Sequence, residues 1–278
     1  MNIVVFGEDI YSNIIIESLI ANGHKVLLII TPVYKNYNYK VLEDIAAKYD
    51  IDFIREEDVN SDKVKAALTL LKPDVIITIH IKKILKEEIY ALVEKSAINV
   101  HPSLLPKYGG LSPQHQPILH GEIETGVTVH HIAPIVDTGE IIVQTRFPIG
   151  PNDYVMNVQT KMMTIYKTIV IEAIRLINDP SFKPMHQDLS QVSYFGLVKK
   201  ADREIHLSKS REEIYNLVRA VSLPYKGAFY NEYTIWTIEI PNAKKEEELK
   251  NKYKEEGFYV DEATEEIIIK LKDALFDF

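Results

Sequence analysis

The first hundred residues alternate short, strongly apolar runs with stretches of helical periodicity, and this alternation limits the possible folds more than any other feature. The apolar runs cover residues 2–7, 25–31, 51–56, 73–80 and 97–101. The helical stretches between them cover residues 10–22, 61–72 and 82–95. Continuous apolar runs are typical of strands buried on both faces, as in a parallel sheet covered by helices. We therefore predict an α/β fold with a doubly wound, mostly parallel sheet, whose ligand site lies at the carboxyl ends of its strands.

The second half of the chain predicts two further strands, a long helix and a small domain. Residues 125–133 and 139–149 have strand character, and apolar positions recur every three or four residues from 152 to 178. Near residue 190 the pattern changes to a single helix, which begins with the capping box of Ser210 and Glu213 and is followed by strands. We predict a large domain over residues 1–190 and a small α+β or mostly β domain over residues 191–278.

Charge and composition disfavour several classes of partner. The net charge is −8, without an isolated basic run, so the electrostatic footprint that holds nucleic acid is missing. The chain has no cysteine, which excludes disulfides and thiolate metal sites. Its first twenty residues have neither the pattern of a signal peptide nor that of a membrane span, so we expect a cytoplasmic protein with no membrane partner.

The spacing of the residues disfavours two candidate sites, a dinucleotide-binding loop at Gly7 and a metal site at His130 and His131. Gly7 stands alone where a dinucleotide fingerprint needs three glycines, so we interpret it as a strand-to-helix turn. His130 and His131 are adjacent and point to opposite faces of a strand, so they do not share a metal ion easily. We expect no metal site, and we interpret every histidine except His101 as an ordinary surface or core residue.

His101 is the exception because it directly follows a buried strand, and Asn99 lies on the same face two residues earlier. The amide N–H of Asn99 can stabilise a developing oxyanion, and a histidine can transfer a proton near neutral pH. Asp137 could orient the imidazole from the second strand pair. The alternative is that Asp137 is an ordinary turn residue before Gly139.

Three motifs resemble those of the formyltransferases that use 10-formyltetrahydrofolate. They are Asn-x-His-x-Ser-Leu-Leu-Pro at 99–106, Gly-Glu-x-x-Thr-Gly-Val-Thr at 121–128 and Asp-x-Gly at 137–139. The resemblance follows residues 1–190 in order and spacing, which implies a Rossmann-like catalytic domain. It continues into residues 217–229, which are similar to the start of the carboxyl-terminal domain in methionyl-tRNA and amino-sugar formyltransferases.

The resemblance implies roles for individual residues. Asn99 would bind the formyl oxygen, His101 would transfer the proton, and Asp137 would tune His101. The 10-formyltetrahydrofolate pocket would be built largely from the backbone of three segments: Lys83, Ile84 and Leu85; Ser103, Leu104, Leu105 and Pro106; and Ala133, Pro134, Ile135 and Val136.

The sequence gives less information about the molecule that would accept the formyl group. Gly109 stands where the resemblance leads us to expect arginine in enzymes that act on tRNA, and both the acidic charge and the short final domain favour a small acceptor. We expect a dTDP- or UDP-linked 3-amino or 4-amino sugar, as in lipopolysaccharide O-antigen synthesis. The alternatives are a methionyl-tRNA formyltransferase, a 10-formyltetrahydrofolate hydrolase and a non-catalytic nucleotide binder.

Five residues are candidates for contacts with this nucleotide-linked amino sugar: Lys107, Tyr108, Gln114, Arg219 and Tyr225. For the first three the alternative is a solvated loop, and for Arg219 and Tyr225 it is docking of the small domain. The resemblance also implies that strands of the small domain could build a homodimer interface.

Overall fold

A computed structural model describes residues 1–34, 39–260, 267–271 and 275–277. Its strands are β1 (Asn2–Gly7), β2 (Lys25–Pro32), β3 (Asp52–Glu56), β4 (Val75–Ile79), β5 (Ser96–His101), β6 (Gly109–Gly110), β7 (Glu124–His131), β8 (Ile141–Pro148), β9 (Tyr194–Phe195), β10 (Ala228–Tyr230), β11 (Tyr233–Ile235), β12 (Gly257–Val260), β13 (Ile267–Lys270) and β14 (Leu275–Asp277). Its α-helices are α1 (Ile10–Ala21), α2 (Lys40–Lys48), α3 (Asp62–Leu71), α4 (Glu87–Tyr90), α5 (Gln116–Leu119), α6 (Val155–Ile177), α7 (Arg211–Val221) and α8 (Ala243–Lys252).

The predicted fold class is confirmed by a seven-stranded sheet in the order β3-β2-β1-β4-β5-β7-β8. The first five of these strands are parallel, and β7 pairs antiparallel with β5. The chain starts at β1 and builds outward in both directions, so β1 and β4 meet at a switch point. Ligand sites in such sheets lie at the carboxyl ends of the strands beside this point.

The turn from β1 into α1 shows why residue 7 is glycine. A Cβ at Gly7 would lie 2.3 Å from Ser12 Oγ in the first turn of the helix. The Asp9 side chain caps α1 by accepting the N–H groups of Tyr11 and Ser12 at 3.0 and 3.2 Å. Gly7 is therefore a tight strand-to-helix turn, as expected.

The predicted helix over residues 82–95 is wrong for most of its length, because α4 contains a single turn. The Asn60 side chain donates to the carbonyl of Ile84 at 3.0 Å and accepts the N–H of Lys86 at 2.8 Å. These backbone groups are thus satisfied from a distant loop. Asn60 lies outside residues 82–95, so the helical periodicity of that stretch gave no sign of these hydrogen bonds.

The structure divides into two units that interleave along the chain. Unit 1 comprises residues 1–113, 125–147 and 160–195, and unit 2 comprises residues 114–124, 148–159 and those from 196 onward. Within unit 2, the predicted capping box of Ser210 and Glu213 begins α7. Unit 2 also contains the antiparallel pair β10-β11 and the antiparallel sheet β12-β13-β14. The division at residue 190 that we drew from the sequence remains a prediction.

No helix in the described part of the chain combines the length and the apolar character needed to cross a membrane. Among the same residues, no group of three or more histidine, aspartate or glutamate side chains is arranged to hold a metal ion.

Candidate active site

Asn99, His101 and Asp137 lie together beside the carboxyl end of β5. Asn99 and His101 share one face of the strand, and Asp137 follows β7, the antiparallel neighbour of β5. Asp137 Oδ1 is 3.6 Å from His101 Nδ1 and 3.4 Å from Asn99 Nδ2. The structure therefore brings together the three residues that the sequence selected, and all three belong to unit 1.

Asp137 is an ionised carboxylate held in a specific backbone geometry. Its φ is +58°, in the left-handed region that non-glycine residues rarely adopt. The N–H of Gly110 donates to Oδ2 at 2.8 Å. Burial alone would raise the pKa of Asp137, but the positive charge that His101 carries when it is protonated and the hydrogen bond from the Gly110 N–H outweigh it and hold the pKa well below its usual range.

His101 has a defined tautomer. Its Nε2 lies 2.9 Å from the carbonyl oxygen of Tyr108, and because a carbonyl only accepts hydrogen bonds, Nε2 carries the proton. In the neutral ring Nδ1 is then the basic nitrogen, and it faces Asp137. Burial lowers the pKa of His101, against the opposing influence of Asp137. The imidazole is therefore neutral near pH 7 and able to accept a proton at Nδ1.

The amide of Asn99 is oriented by two residues that sequence reasoning missed. The hydroxyl of Thr78, on β4, donates to Asn99 Oδ1 at 2.7 Å. His130 Nδ1 donates to the carbonyl of His131 at 2.8 Å, so its Nε2 accepts from Asn99 Nδ2 at 3.1 Å. The N–H groups of Asn99 are thereby turned toward His130 and Asp137.

His130 is a buried core histidine, as we expected, and its ring also lies against the amide of Asn99. One sequence signal could have identified Thr78, the other residue that orients Asn99. Thr78 is the single polar residue in the buried strand Val75–Ile79. His131 does point away, as its position predicts, and its Nδ1 lies 2.8 Å from Ser96 Oγ.

Of the three predicted folate segments, the one over residues 103–106 is held by hydrogen bonds within unit 1. The hydroxyl of Ser103 donates to the carbonyl of Lys107 at 2.9 Å, and the N–H of Leu105 donates to Thr128 Oγ1 at 3.2 Å. Leu85 packs in a core cluster that also contacts Ile132, the residue before the segment 133–136.

The side chains of Ile84 and Ile135, in the segments 83–85 and 133–136, are 63% and 67% exposed. That these segments bind the folate remains a prediction.

The residues that we predicted to contact the acceptor differ in their burial and in the residues they contact. Tyr108 is buried, and its ring stacks on Phe195 with centroids 5.8 Å apart, whereas Lys107 is exposed. In unit 2, Gln159 Nε2 donates to Gln114 Oε1 at 2.7 Å and lies 2.6 Å from the hydroxyl of Tyr225. These contacts bring Gln114 and Tyr225 together.

Arg219, also in unit 2, is 6% exposed and is engaged separately. Its guanidinium donates to the carbonyls of Gly150 and Asp153 at 3.3 and 2.9 Å and to the side chain of Asn216. These bonds tie α7 to the loop before α6. A role of Arg219 in binding the acceptor remains a prediction.

Comparison with known proteins identifies relatives over nearly the whole chain. Residues 1–174 match the family model described as formyl transferase, and residues 197–276 match that of the formyl transferase carboxyl-terminal domain. The chain is 32% identical over 236 residues to the methionyl-tRNA formyltransferase of Thermotoga maritima, an alignment that covers 82% of this chain and 75% of the relative.

Two solved structures share the fold. The N-formyltransferase of Helicobacter canadensis, in complex with folinic acid and dTDP-3-aminofucose, has a TM-score of 0.75 at 22% identity, covering 99% of this chain and 97% of that one. The sugar 3N-formyl transferase WlaRD, in the presence of dTDP and 5-N-formyl-THF, has a TM-score of 0.75 at 22% identity, covering 100% and 96%.

Proposed function

The chain belongs to the formyl transferase family, and we propose that it transfers the formyl group of 10-formyltetrahydrofolate to the amino group of a nucleotide-linked amino sugar. The observation that carries the proposal is the trio at β5. The amide nitrogen of Asn99 and Nδ1 of the neutral His101 ring lie 3.4 and 3.6 Å from Oδ1 of the ionised Asp137. Each of these groups can accelerate acyl transfer to an amine: the amide by stabilising the oxyanion, the imidazole by accepting a proton and the carboxylate by stabilising the resulting charge.

The folate supplies a formyl carbon attached to a nitrogen that can leave. The formyl oxygen takes the place of Asp137 Oδ1 as the acceptor of one Asn99 amide N–H as negative charge develops there, and Thr78 and His130 keep that amide from rotating. Removing one such donor typically lowers kcat by about 10²–10³-fold.

His101 takes the surplus proton of the attacking amine at Nδ1, while its Nε2–H remains on the Tyr108 carbonyl. The resulting imidazolium is stabilised by the ionised Asp137 3.6 Å away. As the bond between the formyl carbon and the folate nitrogen breaks, the imidazolium returns the proton to that nitrogen, so tetrahydrofolate leaves and the neutral base is restored. A general base in this position typically contributes about 10²–10⁴-fold in rate.

Two observations support a sugar acceptor. The chain covers 97% and 96% of two neighbours whose descriptions name dTDP-3-aminofucose and dTDP, and its net charge of −8 disfavours a polyanion. In this proposal the enzyme works in the cytoplasm on a precursor of surface polysaccharide such as O-antigen. The second candidate acceptor is methionyl-tRNA, favoured by the name of the relative at 32% identity.

The test is to incubate the protein with 10-formyltetrahydrofolate and a panel of dTDP- and UDP-linked 3-amino and 4-amino sugars. We expect a mass gain of one formyl group on at least one sugar. Parallel reactions contain methionyl-tRNA or no acceptor. Formylation of methionyl-tRNA alone would transfer the assignment to the second candidate, and formate release without an amine would indicate a hydrolase.

The same assay tests the site. Asn99→Ala and His101→Ala should each remove nearly all turnover while leaving the circular dichroism spectrum unchanged. His206→Ala, at an exposed histidine, is the matched control and should retain full activity. Near-normal activity in either site variant contradicts the catalytic assignment.

A further inference from the structure

The loop that orients His101 is held by a second segment of unit 1, residues Ser193–Phe195, which we call the strap. The pairing of β6 with β9 joins the two. The N–H groups of Gly109 and Leu111 donate to the carbonyls of Ser193 and Phe195 at 2.9 and 2.7 Å, and the N–H of Ser193 donates to the carbonyl of Pro106 at 3.3 Å. The loop over residues 106–111 is thus bonded to the strap on both sides of Tyr108.

Tyr108 lies at the centre of this arrangement with its backbone in the left-handed region, at a φ of +63°. Such a conformation in a bulky residue persists only where the surroundings determine it. The hydroxyl of Ser193 accepts the N–H of Tyr108 at 2.8 Å, and the Tyr108 carbonyl accepts the Nε2–H of His101 at 2.9 Å. A chain of hydrogen bonds therefore runs from Ser193 through one residue to the imidazole.

We propose that Ser193 is a positioning residue for His101. By fixing the backbone of Tyr108, it keeps the carbonyl on Nε2 and so keeps Nδ1 directed at Asp137. The strap supports Asp137 as well, because the N–H of Gly110, the second residue of β6, donates to its Oδ2. The inference rests on the proposed function, since only there does His101 transfer a proton.

The variant Ser193→Ala removes the acceptor for the Tyr108 N–H and leaves the backbone bonds of the strap in place. We expect kcat to fall about tenfold or more, because small displacements of a catalytic group are costly. The KM values for folate and acceptor should stay within about twofold, since the trio and the folate segments keep their residues. Ser193→Thr keeps a hydroxyl and should retain most of the activity. Ser190→Ala is the matched control, because that hydroxyl bonds to Asp188 outside the strap.

A pH profile separates positioning from general stability. The other titratable groups that act on His101 are Asp137, His130 and His80, and Ser193→Ala alters none of them. The Tyr108 carbonyl favours the imidazolium form, so a loosened contact lowers the pKa of His101 further. The acid limb of kcat/KM should then move to lower pH.

Nitrogen-15 NMR of the histidines measures the same effect without turnover. His101 should be the Nε2–H tautomer in the wild type, and its titration should move to lower pH in Ser193→Ala. An unchanged tautomer and titration together with wild-type kcat overturn the proposal. So does a loss of kcat that accompanies a lower melting temperature with an unmoved acid limb. If the wild type itself formylates no amine, the proposed function fails, while the NMR comparison still decides whether Ser193 positions His101.

Discussion

At the scale of single residues, His101 uses its two ring nitrogens for different tasks. Nε2 is fixed on a backbone carbonyl, and Nδ1 faces a carboxylate at 3.6 Å. Burial favours the neutral ring before reaction, and Asp137 favours the charged ring once a proton arrives. The site thus holds a base that is unprotonated at neutral pH and stabilised when it is protonated.

This arrangement predicts the pH dependence of the reaction. A base must be neutral to accept a proton, so activity falls as pH drops through its pKa. Since the pKa of His101 is lowered, the acid limb of kcat/KM should lie below the ordinary histidine value of about 6.5. The measurement is kcat/KM against pH, with the acceptor expressed as free amine after a separate titration of its amino group. An acid limb above the ordinary value would contradict the neutral resting state.

The sequence singled out the three residues that the structure brings together, but it did not reveal the residues that orient them. Asn99 and His101 follow from the two-residue period of a strand, and Asp137 followed from the motif at 137–139. Thr78 and His130 act because β4 and β7 flank β5, with Thr78 and His130 both opposite Asn99 in register. Strand order and register are long-range properties, so the local pattern did not reveal these contacts.

At the scale of elements, the pair of glycines in β6 separates into two roles. Gly110 has a φ of +90°, and a Cβ there would lie 2.4 Å from the carbonyl oxygen of Phe195 and 2.8 Å from the ring of Tyr194. A Cβ at Gly109 would meet its nearest neighbours, Asp137 and the strap, at an ordinary 3.5 Å. Glycine is therefore required only at position 110, where both the positive φ and the close neighbours disfavour a side chain.

Gly110→Ala and Gly109→Ala are therefore a matched pair. We expect Gly110→Ala to displace the strap, to lower kcat by at least about tenfold and to reduce the free energy of unfolding by about 1–3 kcal/mol. Gly109→Ala should remain within about twofold of the wild-type kcat. Steady-state kinetics and denaturant unfolding of both variants give the answer, and equal effects of the two substitutions would refute the distinction.

Elements with long periodic patterns were predictable, whereas short ones built on distant partners were not. The helix predicted over 152–178 is α6, because its apolar face alone specifies it. The pairing of β6 with β9 joins two-residue strands 85 positions apart from Gly109 to Tyr194, and neither has periodicity of its own. The same is true of the Asn60 contacts that replace most of the predicted helix over 82–95.

At the scale of the whole molecule, the sequence did not predict that the two units alternate along the chain. Residues 114–124 join unit 2 through contacts such as His115 Nδ1 with the carbonyl of Ala220, at 2.6 Å. Contacts between segments so far apart in the chain have no local signal in the sequence. The charge of the chain, in contrast, is a property of composition and could be used directly.

That charge leads to a prediction about the acceptor. A protein that binds tRNA through 6–10 phosphate contacts loses about 10³–10⁵-fold in affinity between 50 and 200 mM salt. A nucleotide-linked sugar presents only a diphosphate, and the chain carries a net charge of −8, so kcat/KM for the sugar should fall by no more than about tenfold over this range. The measurement is kcat/KM at constant pH as potassium chloride increases, with the folate saturating. As a control, the chloride is replaced by glutamate to separate ionic strength from anion competition. A loss of several hundredfold or more in both salts would indicate an extended polyanion as the natural acceptor and would favour tRNA over the sugar.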